Sequence, residues 1–369
     1  MSDISTELRQ AKEAGARIVG MYCAYGPKEL VLAAGALCFG LCSTKEEPIA
    51  EGEKTLPRNF CPLIKSSYGL AVTDKCPYFL YSDLIIGETT CDGKKKMFEL
   101  MAKFKRLHVM RLPSNYIDQA AKDSWLAEVI RLKEVLEDEF KVAITDEKLR
   151  QAIKLLNEES RLMQSLSELM KNDPVPISGS TMLELSWQRN FALERSEFSE
   201  MIRNMIDHAK QRLANGTPAF PKGTKRIAIT GVPTGIGADK VIKIIEECGA
   251  VVVYQENCSG MKPYVHLADE NKPPLEAIAE KYLKIPCSCM SPNPARLESF
   301  GPIIRDYRVS GVVDIIWQGC HTYNVESRIL QDYIKDHFGI PFLHIETDYS
   351  QGDREQIRTR VQAFLEMLD

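Results

Sequence analysis

"VVDIIWQGC" (312–320) is an apolar run that ends in a Gln-Gly turn and a cysteine. Apolar runs of this kind are typical of parallel strands that are covered on both faces. Helical sequence separates this run from three similar ones: "RIAITGVP" (226–233), "AVVVYQENC" (250–258) and "PFLHIETD" (341–348). Strands that alternate with helices predict a doubly wound parallel sheet, which we place in a C-terminal α/β domain, residues 221–369.

The beginning of the chain has the same alternation. Its strand-like runs are "RIVGMYC", which ends at Cys23, "ALCFGLC" (36–42), "SDLIIGETTC" (82–91) and "LHVMRLP" (107–113). They predict an N-terminal α/β domain over residues 1–114, while long amphipathic helices fill residues 115–220. The predicted fold class is therefore α/β, with two doubly wound parallel-sheet domains that face each other across a cleft and a helical segment between them.

Composition excludes several classes of protein. The chain has 369 residues, 44% of them apolar, and a net charge of −4, so a basic nucleic-acid-binding face is not expected. The first residues lack an apolar signal-peptide core, and no apolar run is long enough to span a membrane. We expect a cytoplasmic protein without nucleic-acid or membrane partners. In the reducing cytoplasm, clustered cysteines indicate metal binding or redox chemistry rather than disulfides.

The eleven cysteines are concentrated after predicted strands. In doubly wound sheets ligands gather beyond the carboxyl ends of the strands, so these positions predict a cleft that is lined by thiols. Cys38 and Cys248 lie in apolar contexts and are assigned to the core. The residues that follow predicted strands are Cys23, Cys42, Cys91, Cys258, Cys320 and Asp348.

Three kinds of thiol chemistry are compatible with this pattern. Structural zinc requires close-spaced pairs, and only Cys287 and Cys289 form one. A single catalytic thiol beside His321 leaves the other cysteines without a role. An iron–sulfur centre takes thiolates from separate loops, and Cys61 and Cys76 each precede a proline, which favours the first position of a helix. An iron–sulfur centre explains the pattern best.

The "TGVPTGIG" loop (230–237) follows a strand, but it matches neither a dinucleotide fingerprint nor a P-loop. The chain is therefore not expected to hydrolyse ATP through a loop of its own.

Four motifs carry a resemblance to known proteins. "CPLIKSSYG", "ETTCDGKKKM", "ENCSG" and "CHTYNVES" resemble the 2-hydroxyacyl-CoA dehydratase / benzoyl-CoA reductase superfamily. From "YCAYGPKELVLAAGA" to "IETDYSQGD", the chain resembles its double-cubane-cluster branch, the double-cubane-cluster-containing anaerobic reductases. The superfamily's three cysteines for a [4Fe-4S] cluster map onto Cys61, Cys91 and Cys320. The branch holds an [8Fe-9S] double-cubane cluster with three thiolates per cubane, and for the second cubane we predict Cys42, Cys76 and Cys289.

The resemblance also implies a function. A separate, homodimeric, ATP-hydrolysing iron–sulfur activator would deliver low-potential electrons to this chain, which would then reduce a small-molecule substrate. The family also implies a homodimer and, because such a centre is sensitive to oxygen, an anaerobic or facultative way of life. Reduction requires protons. The candidate proton donors are His321, Tyr323, Glu326, Glu88 and Lys65.

Two other functions stay open on the sequence alone. One is a subunit of a 2-hydroxyacyl-CoA dehydratase that has a single [4Fe-4S] cluster and acts through a ketyl radical. The surplus cysteines and the absence of a clear basic patch for CoA phosphates argue against it. The other is a non-catalytic electron-transfer or cluster-carrier protein. Iron content distinguishes the dehydratase, and turnover with an activator distinguishes the carrier.

Overall fold

The computed structural model describes residues 4–368, and each of the eight predicted runs contains a strand. The strands form two four-stranded parallel sheets, in the orders β2-β1-β3-β4 and β6-β5-β7-β8, which confirms the predicted fold class. The strands of the described residues are β1 (Arg17–Met21), β2 (Ala36–Gly40), β3 (Leu84–Glu88), β4 (Leu107–Met110), β5 (Arg226–Gly231), β6 (Val251–Gln255), β7 (Gly311–Trp317) and β8 (Phe342–Thr347).

Helices cover both faces of each sheet, and a short 3₁₀ segment, Lys262–Tyr264, follows β6. Among the described helices, none combines the length and the apolar character that a bilayer-spanning segment requires. The α-helices of residues 4–368 are α1 (Ile4–Glu13), α2 (Lys28–Ala33), α3 (Ile49–Gly52), α4 (Pro62–Val72), α5 (Pro77–Tyr81), α6 (Asp92–Met101), α7 (Gln119–Phe140), α8 (Asp146–Leu169), α9 (Gly179–Gln188), α10 (Arg195–Ala214), α11 (Lys240–Glu247), α12 (Pro274–Leu283), α13 (Pro294–Asp306), α14 (His321–Phe338) and α15 (Arg354–Glu366).

The strand order locates the functional edge of each sheet. Strands β3, β5 and β7 are buried along their whole length, as expected for apolar strands covered on both faces. The chain reverses its winding direction between β1 and β3 and again between β5 and β7. Such switch points open a crevice beyond the carboxyl ends of the strands, and the segments that follow β1, β3 and β7 carry cysteines.

The helical segment between the sheets is not a layer of its own. Trp125 and Val129 of α7 belong to the same buried core as β1 and β3, whereas Phe198 and Ile202 of α10 pack in the core that contains β6. The predicted boundaries, between residues 114 and 115 and between 220 and 221, lie in the loops before α7 and after α10. The long helices therefore hold the two sheets together by covering part of each.

Two glycines allow α3 and α4 to cross closely. A Cβ atom on Gly69 would overlap the carbonyl oxygen of Pro48, and a Cβ atom on Gly52 would overlap that of Lys65. Since both obstacles are backbone atoms, they have little room to move. The crossing fixes the position of α4, which begins directly after Cys61.

We predict that Gly69→Ala destabilises the protein by about 3 kcal/mol, because overpacking against rigid backbone costs on the order of 1–3 kcal/mol. The urea midpoint of unfolding measures the loss. Gly301→Ala is the matched control, since its Cβ atom meets side-chain atoms and no backbone: the flexible end of Arg305 at 3.3 Å and Phe338 Cζ at 3.7 Å. Equal midpoints for the two variants would contradict the close crossing.

Candidate functional site

A single cavity of about 720 Å³ lies at the carboxyl ends of both sheets. Thiols line it from both domains, whereas Cys38 and Cys248 are not among its lining residues, as the sequence predicts. None of the eleven cysteines forms a disulfide. The cysteines that line the cavity are Cys23, Cys42, Cys61, Cys91, Cys258, Cys287, Cys289 and Cys320.

Helix N-termini hold several of these thiols. Cys61 and Cys76 are the N-cap residues of α4 and α5, each followed by proline at the first helical position, which confirms the geometry predicted from the Cys-Pro pairs. Cys91 and Cys320 are the N-caps of α6 and α14. The backbone N–H of Lys94 points at Cys91 Sγ, 3.5 Å away. Free amides at helix N-termini stabilise negative charge on sulfur.

The structure brings Cys61, Cys91 and Cys320 together, and we call them the first thiol group. Burial raises the pKa of Cys61, and the nearby Cys320 and Cys91 raise it further. Burial also raises the pKa of Cys320 to about 11. The loop before Cys320 packs on the chain before Cys61: a Cβ atom on Gly319 would lie 2.5 Å from Asn59 O and 3.2 Å from Cys61 N. The first thiol group therefore joins the two domains.

Four further cysteines, Cys23, Cys258, Cys287 and Cys289, form a second thiol group. Burial raises the pKa of Cys258 to about 12, and Cys287 adds to that shift. Cys287 takes a hydrogen bond from the Cys289 thiol, which holds the pKa of Cys287 well below its usual value. Cys23 lies in the loop after β1, and its backbone there is left-handed, with φ 71°.

The second set of cysteines predicted from the sequence is divided in the structure. Cys42 and Cys289 line the cavity, but Cys76 is not among its lining residues. Both Cys42 and Cys76 lie near the buried Tyr22, whose pKa rises because of burial and of these two thiols. The second thiol group was not recognised from the sequence, because its members come from loops that meet only when the two domains pack.

Two buried lysines lie among the thiols. Burial opposes a charge on Lys94, but Cys23 and Cys42 outweigh it and hold the pKa of Lys94 well above its usual value. Lys262 pairs with Glu256 at 2.9 Å and approaches the hydroxyl of Tyr323 at 3.4 Å. These cations favour thiolates and other negative charge in the cavity.

The signal for Lys94 was present in the sequence. "DGKKK" places Lys94 and Lys95 in the first turn of α6, with Lys96 directly after them, where the helix dipole disfavours cations. Such a mismatch indicates a local demand for positive charge.

The five predicted proton donors fall into two sets. Tyr323 and His321 line the cavity, and the Tyr323 hydroxyl lies 3.7 Å from Cys287 Sγ. The other three, Glu88, Lys65 and Glu326, are not among its lining residues.

Lys65 and Glu326 have structural partners. Lys65 donates to Glu53 and to the carbonyl of Arg58, both at 2.8 Å. Glu326 pairs with Arg296 and accepts a hydrogen bond from Asn293 at 2.7 Å. Both side chains are therefore already engaged in ion pairs and hydrogen bonds outside the cavity lining.

Glu88 is fully buried beside Gly26, and neither of its carboxylate oxygens has a hydrogen-bond partner of normal geometry. Burial raises the pKa of Glu88 from 4.5 to about 8, although Lys94 opposes the shift. The carboxyl group is therefore mostly protonated at neutral pH.

This pKa predicts a pH dependence of stability. The folded protein retains the Glu88 proton where the unfolded chain releases it, so the free energy of unfolding falls as pH rises from 4.5 to about 8. We predict that Glu88→Gln removes a large part of this fall, on the order of 1 kcal/mol per pH unit over that window. Urea unfolding at several pH values measures it, with the exposed Glu99→Gln as control. Parallel profiles for wild type and Glu88→Gln would contradict the shifted pKa.

No three His, Cys, Asp or Glu side chains within residues 4–368 converge as ligands of a single metal ion. The thiols instead line the walls of the cavity. The donor set is soft and sulfur-rich, of the kind that binds iron–sulfur clusters.

The far end of the cavity is cationic. Lys28 and Arg189 line it, together with Lys281, which pairs with Glu29 at 2.7 Å. Burial lowers the pKa of Lys28 to about 7, and the Arg189 charge adds to that effect. The sequence predicted no clear basic patch. The cations that line the cavity come from parts of the chain that are far apart in sequence, so they form no basic cluster in the sequence.

Comparison with known proteins agrees with the motifs. The family model described as 2-hydroxyglutaryl-CoA dehydratase, D-component (HGD-D), matches residues 23–368. The chain is 46% identical to the putative dehydratase subunit YjiM of Escherichia coli (strain K12), over 97% of this chain and 93% of that protein.

Two more distant relatives are named as subunits of enzymes with a stated reaction. The chain is 25% identical to the (R)-phenyllactyl-CoA dehydratase beta subunit of Clostridium sporogenes and 21% identical to one of the benzoyl-CoA reductase subunits of Thauera aromatica. Each alignment covers 98% of this chain and 94% of the relative. The chain therefore belongs to the HGD-D family, whose members include subunits of dehydratases and of a reductase.

Proposed function

We propose that this protein is an iron–sulfur reductase component. It would accept low-potential electrons from a separate ATP-hydrolysing activator on an [8Fe-9S] double-cubane cluster and reduce a small-molecule substrate, acting as a homodimer. The observation that carries the proposal is the number of thiols around one cavity: eight cysteines line it, more than a single [4Fe-4S] cluster needs.

The residues fit such a group. Cys61, Cys91 and Cys320 are proposed to hold one cubane. For the second cubane we propose Cys42 and Cys289, which line the cavity, and as third ligand either the predicted Cys76 or a member of the second thiol group. Such a centre supplies single electrons of low potential when it is bound.

The other residues of the cavity have separate roles in this proposal. Lys94 and Lys262 offset the negative charge that thiolates and added electrons bring into a buried space. Burial holds the pKa of Tyr323 well above its usual value, so the phenol stays protonated and donates a hydrogen bond or a proton. His321, at the exposed start of α14, also lines the cavity and is proposed to supply protons from solvent.

A second function is supported by one specific observation. The cationic end of the cavity supplies positive charge for an acyl-CoA substrate, and two of the relatives have names that include "CoA dehydratase". The alternative is therefore a subunit of a 2-hydroxyacyl-CoA dehydratase with a single [4Fe-4S] cluster. The surplus of thiols remains the argument against it.

Electron transfer from an activator tests the proposal. Anaerobically purified protein is mixed with a reduced, ATP-hydrolysing iron–sulfur activator, and electron paramagnetic resonance follows its reduction. We expect reduction with ATP and none with a non-hydrolysable ATP analogue. Cys320→Ser, which lacks one thiol of the first thiol group, is expected to accept far fewer electrons. ATP-independent reduction, or none at all, would argue against this function.

A further inference from the structure

Arg189 is a buried cation without a carboxylate partner. It is the C-cap residue of α9, its side chain is 9% exposed, and it lines the cavity. The guanidinium lies over the ring of Tyr264, 4.7 Å from the centroid, and its Nε has no hydrogen-bond partner. Among residues 4–368 no carboxylate pairs with it. Burying an unpaired guanidinium is costly, so its position calls for an anion.

The neighbouring carboxylates are already engaged. Glu159 accepts Arg195 Nε at 2.7 Å on one oxygen and Arg195 Nη2 on the other. Glu29 accepts Lys281 at 2.7 Å and the Tyr282 hydroxyl at 2.8 Å.

The charges at this end of the cavity therefore do not balance. Lys28, Arg189 and Arg195 lie close enough to influence one another, and Glu159 is the carboxylate among them. An excess of positive charge therefore remains at this end, on Arg189 and on the protonated form of Lys28, both of which line the cavity.

We propose that Lys28 and Arg189 form a subsite for a compact oxyanion, a carboxylate or phosphate group carried by the substrate. The assignment to the substrate rests on the proposed reductase function, whereas the subsite itself does not. An arginine fork binds two oxygens of such a group side by side, and a lysine adds a point charge.

The subsite has a defined relation to the thiols. Tyr25 donates to the carbonyl of Ile285 at 2.7 Å and lies 3.9 Å from Cys289 Sγ, while Tyr282, on the same segment as Ile285, contacts the Lys28 backbone at 3.1 Å. A ligand anchored by its oxyanion would therefore extend along this wall towards the second thiol group. The anion would also favour the protonated form of Lys28, whose pKa is lowered without it.

Isothermal titration calorimetry on the anaerobically purified full chain tests the subsite. The probes are acetate, succinate and inorganic phosphate, so that the tighter probe identifies the kind of oxyanion. We expect at least one probe to bind, and Arg189→Gln to weaken it about tenfold or more, equivalent to about 1.4 kcal/mol. Arg189→Lys should restore part of the affinity, since it keeps the charge but loses the fork.

Lys96→Gln is the matched control. Lys96 is an exposed cation at the rim of the same cavity, paired with Glu99, so it tests the general positive field. The Lys96→Gln variant should bind the probe with the affinity of the wild type. Lys28→Gln is the second variant, and it keeps the test decisive if Arg189→Gln fails to fold.

Two results would overturn the subsite: no binding of any probe, or an equal loss in Lys96→Gln and Arg189→Gln. Iron is measured on the same samples. Arg189-dependent binding in protein that never contains iron would support the subsite and reject the proposed function, so the two failures are distinguishable.

Discussion

Cys320→Ser is expected to lose at least about half of the bound iron and sulfide, because each of the two proposed cubanes would depend on its own three thiolates. Cys320 is the member of the first thiol group that comes from the C-terminal domain, and it lies against the chain before Cys61. Serine is nearly isosteric, but its hydroxyl is a hard, weakly acidic ligand. Iron and acid-labile sulfide analysis of the anaerobically purified variant measures the loss.

The same substitution has a consequence for stability. A group that is bound by residues of both domains stabilises the folded state, because the unfolded chain does not offer that site. The urea midpoint of Cys320→Ser should therefore fall together with its iron content. Cys248→Ser is the matched control: Cys248 follows α11, outside the cavity lining, and full iron is expected there. Full iron in Cys320→Ser would contradict the assignment of the first thiol group.

The same assay decides between the candidates for the third ligand of the second cubane. Cys76→Ser should retain iron if the cavity-lining cysteines suffice, and Cys23→Ser should lose it. The reverse result would support the set predicted from sequence, Cys42, Cys76 and Cys289.

Arg296→Ala is expected to lower the free energy of unfolding by about 3–5 kcal/mol, because removing one partner of a buried ion pair leaves the other charge uncompensated. Arg296 is 1% exposed and lies between Glu256, 3.6 Å from its Nε, and Glu326. It also donates to Thr230 Oγ1 at 3.0 Å. Its loss leaves Glu326 without a charge partner, whereas Glu256 keeps its ion pair with Lys262.

Arg328→Ala is the matched control for this prediction. Arg328 is an exposed arginine on α14 that pairs with Asp332, and a change within about 0.5 kcal/mol is expected there. Urea unfolding of both variants gives the comparison. Equal, small changes would mean that Arg296 does not hold this network together. Because the guanidinium also lies 4.9 Å from the centre of the Tyr323 ring, the variant should disturb the cavity wall as well.

The strands and the helix N-caps were predictable because their signals are local. A continuous apolar run such as "VVDIIWQGC" is enough to predict a covered parallel strand, and Cys61-Pro62 is enough to predict a cysteine at a helix start. The strand ends that carry Cys23, Cys91 and Cys320 follow from the same patterns. The convergence of thiols from both domains could therefore be expected from the sequence.

The charges of the site were not predictable in this way. Arg189, in "WQRNF", has the same local pattern as a surface arginine. Its burial without a carboxylate partner arises only from tertiary packing, which brings Glu159 of α8 and Tyr282 of α12 near it. Glu326 lies on a helix whose sequence does not reveal that Arg296 of α13 meets it. Whether a charged side chain faces a cavity or a partner depends on tertiary packing, and no short stretch of sequence predicts that packing.

Iron and acid-labile sulfide per chain, in protein kept strictly oxygen-free, decide whether thiols from both domains hold a double-cubane centre. We expect about eight irons, with slightly more sulfide than iron. About four irons, with no loss of iron when Cys42 or Cys289 is replaced, would indicate a single cluster. That result would favour the alternative function, a dehydratase subunit. No iron at all would contradict an iron–sulfur role for these thiols.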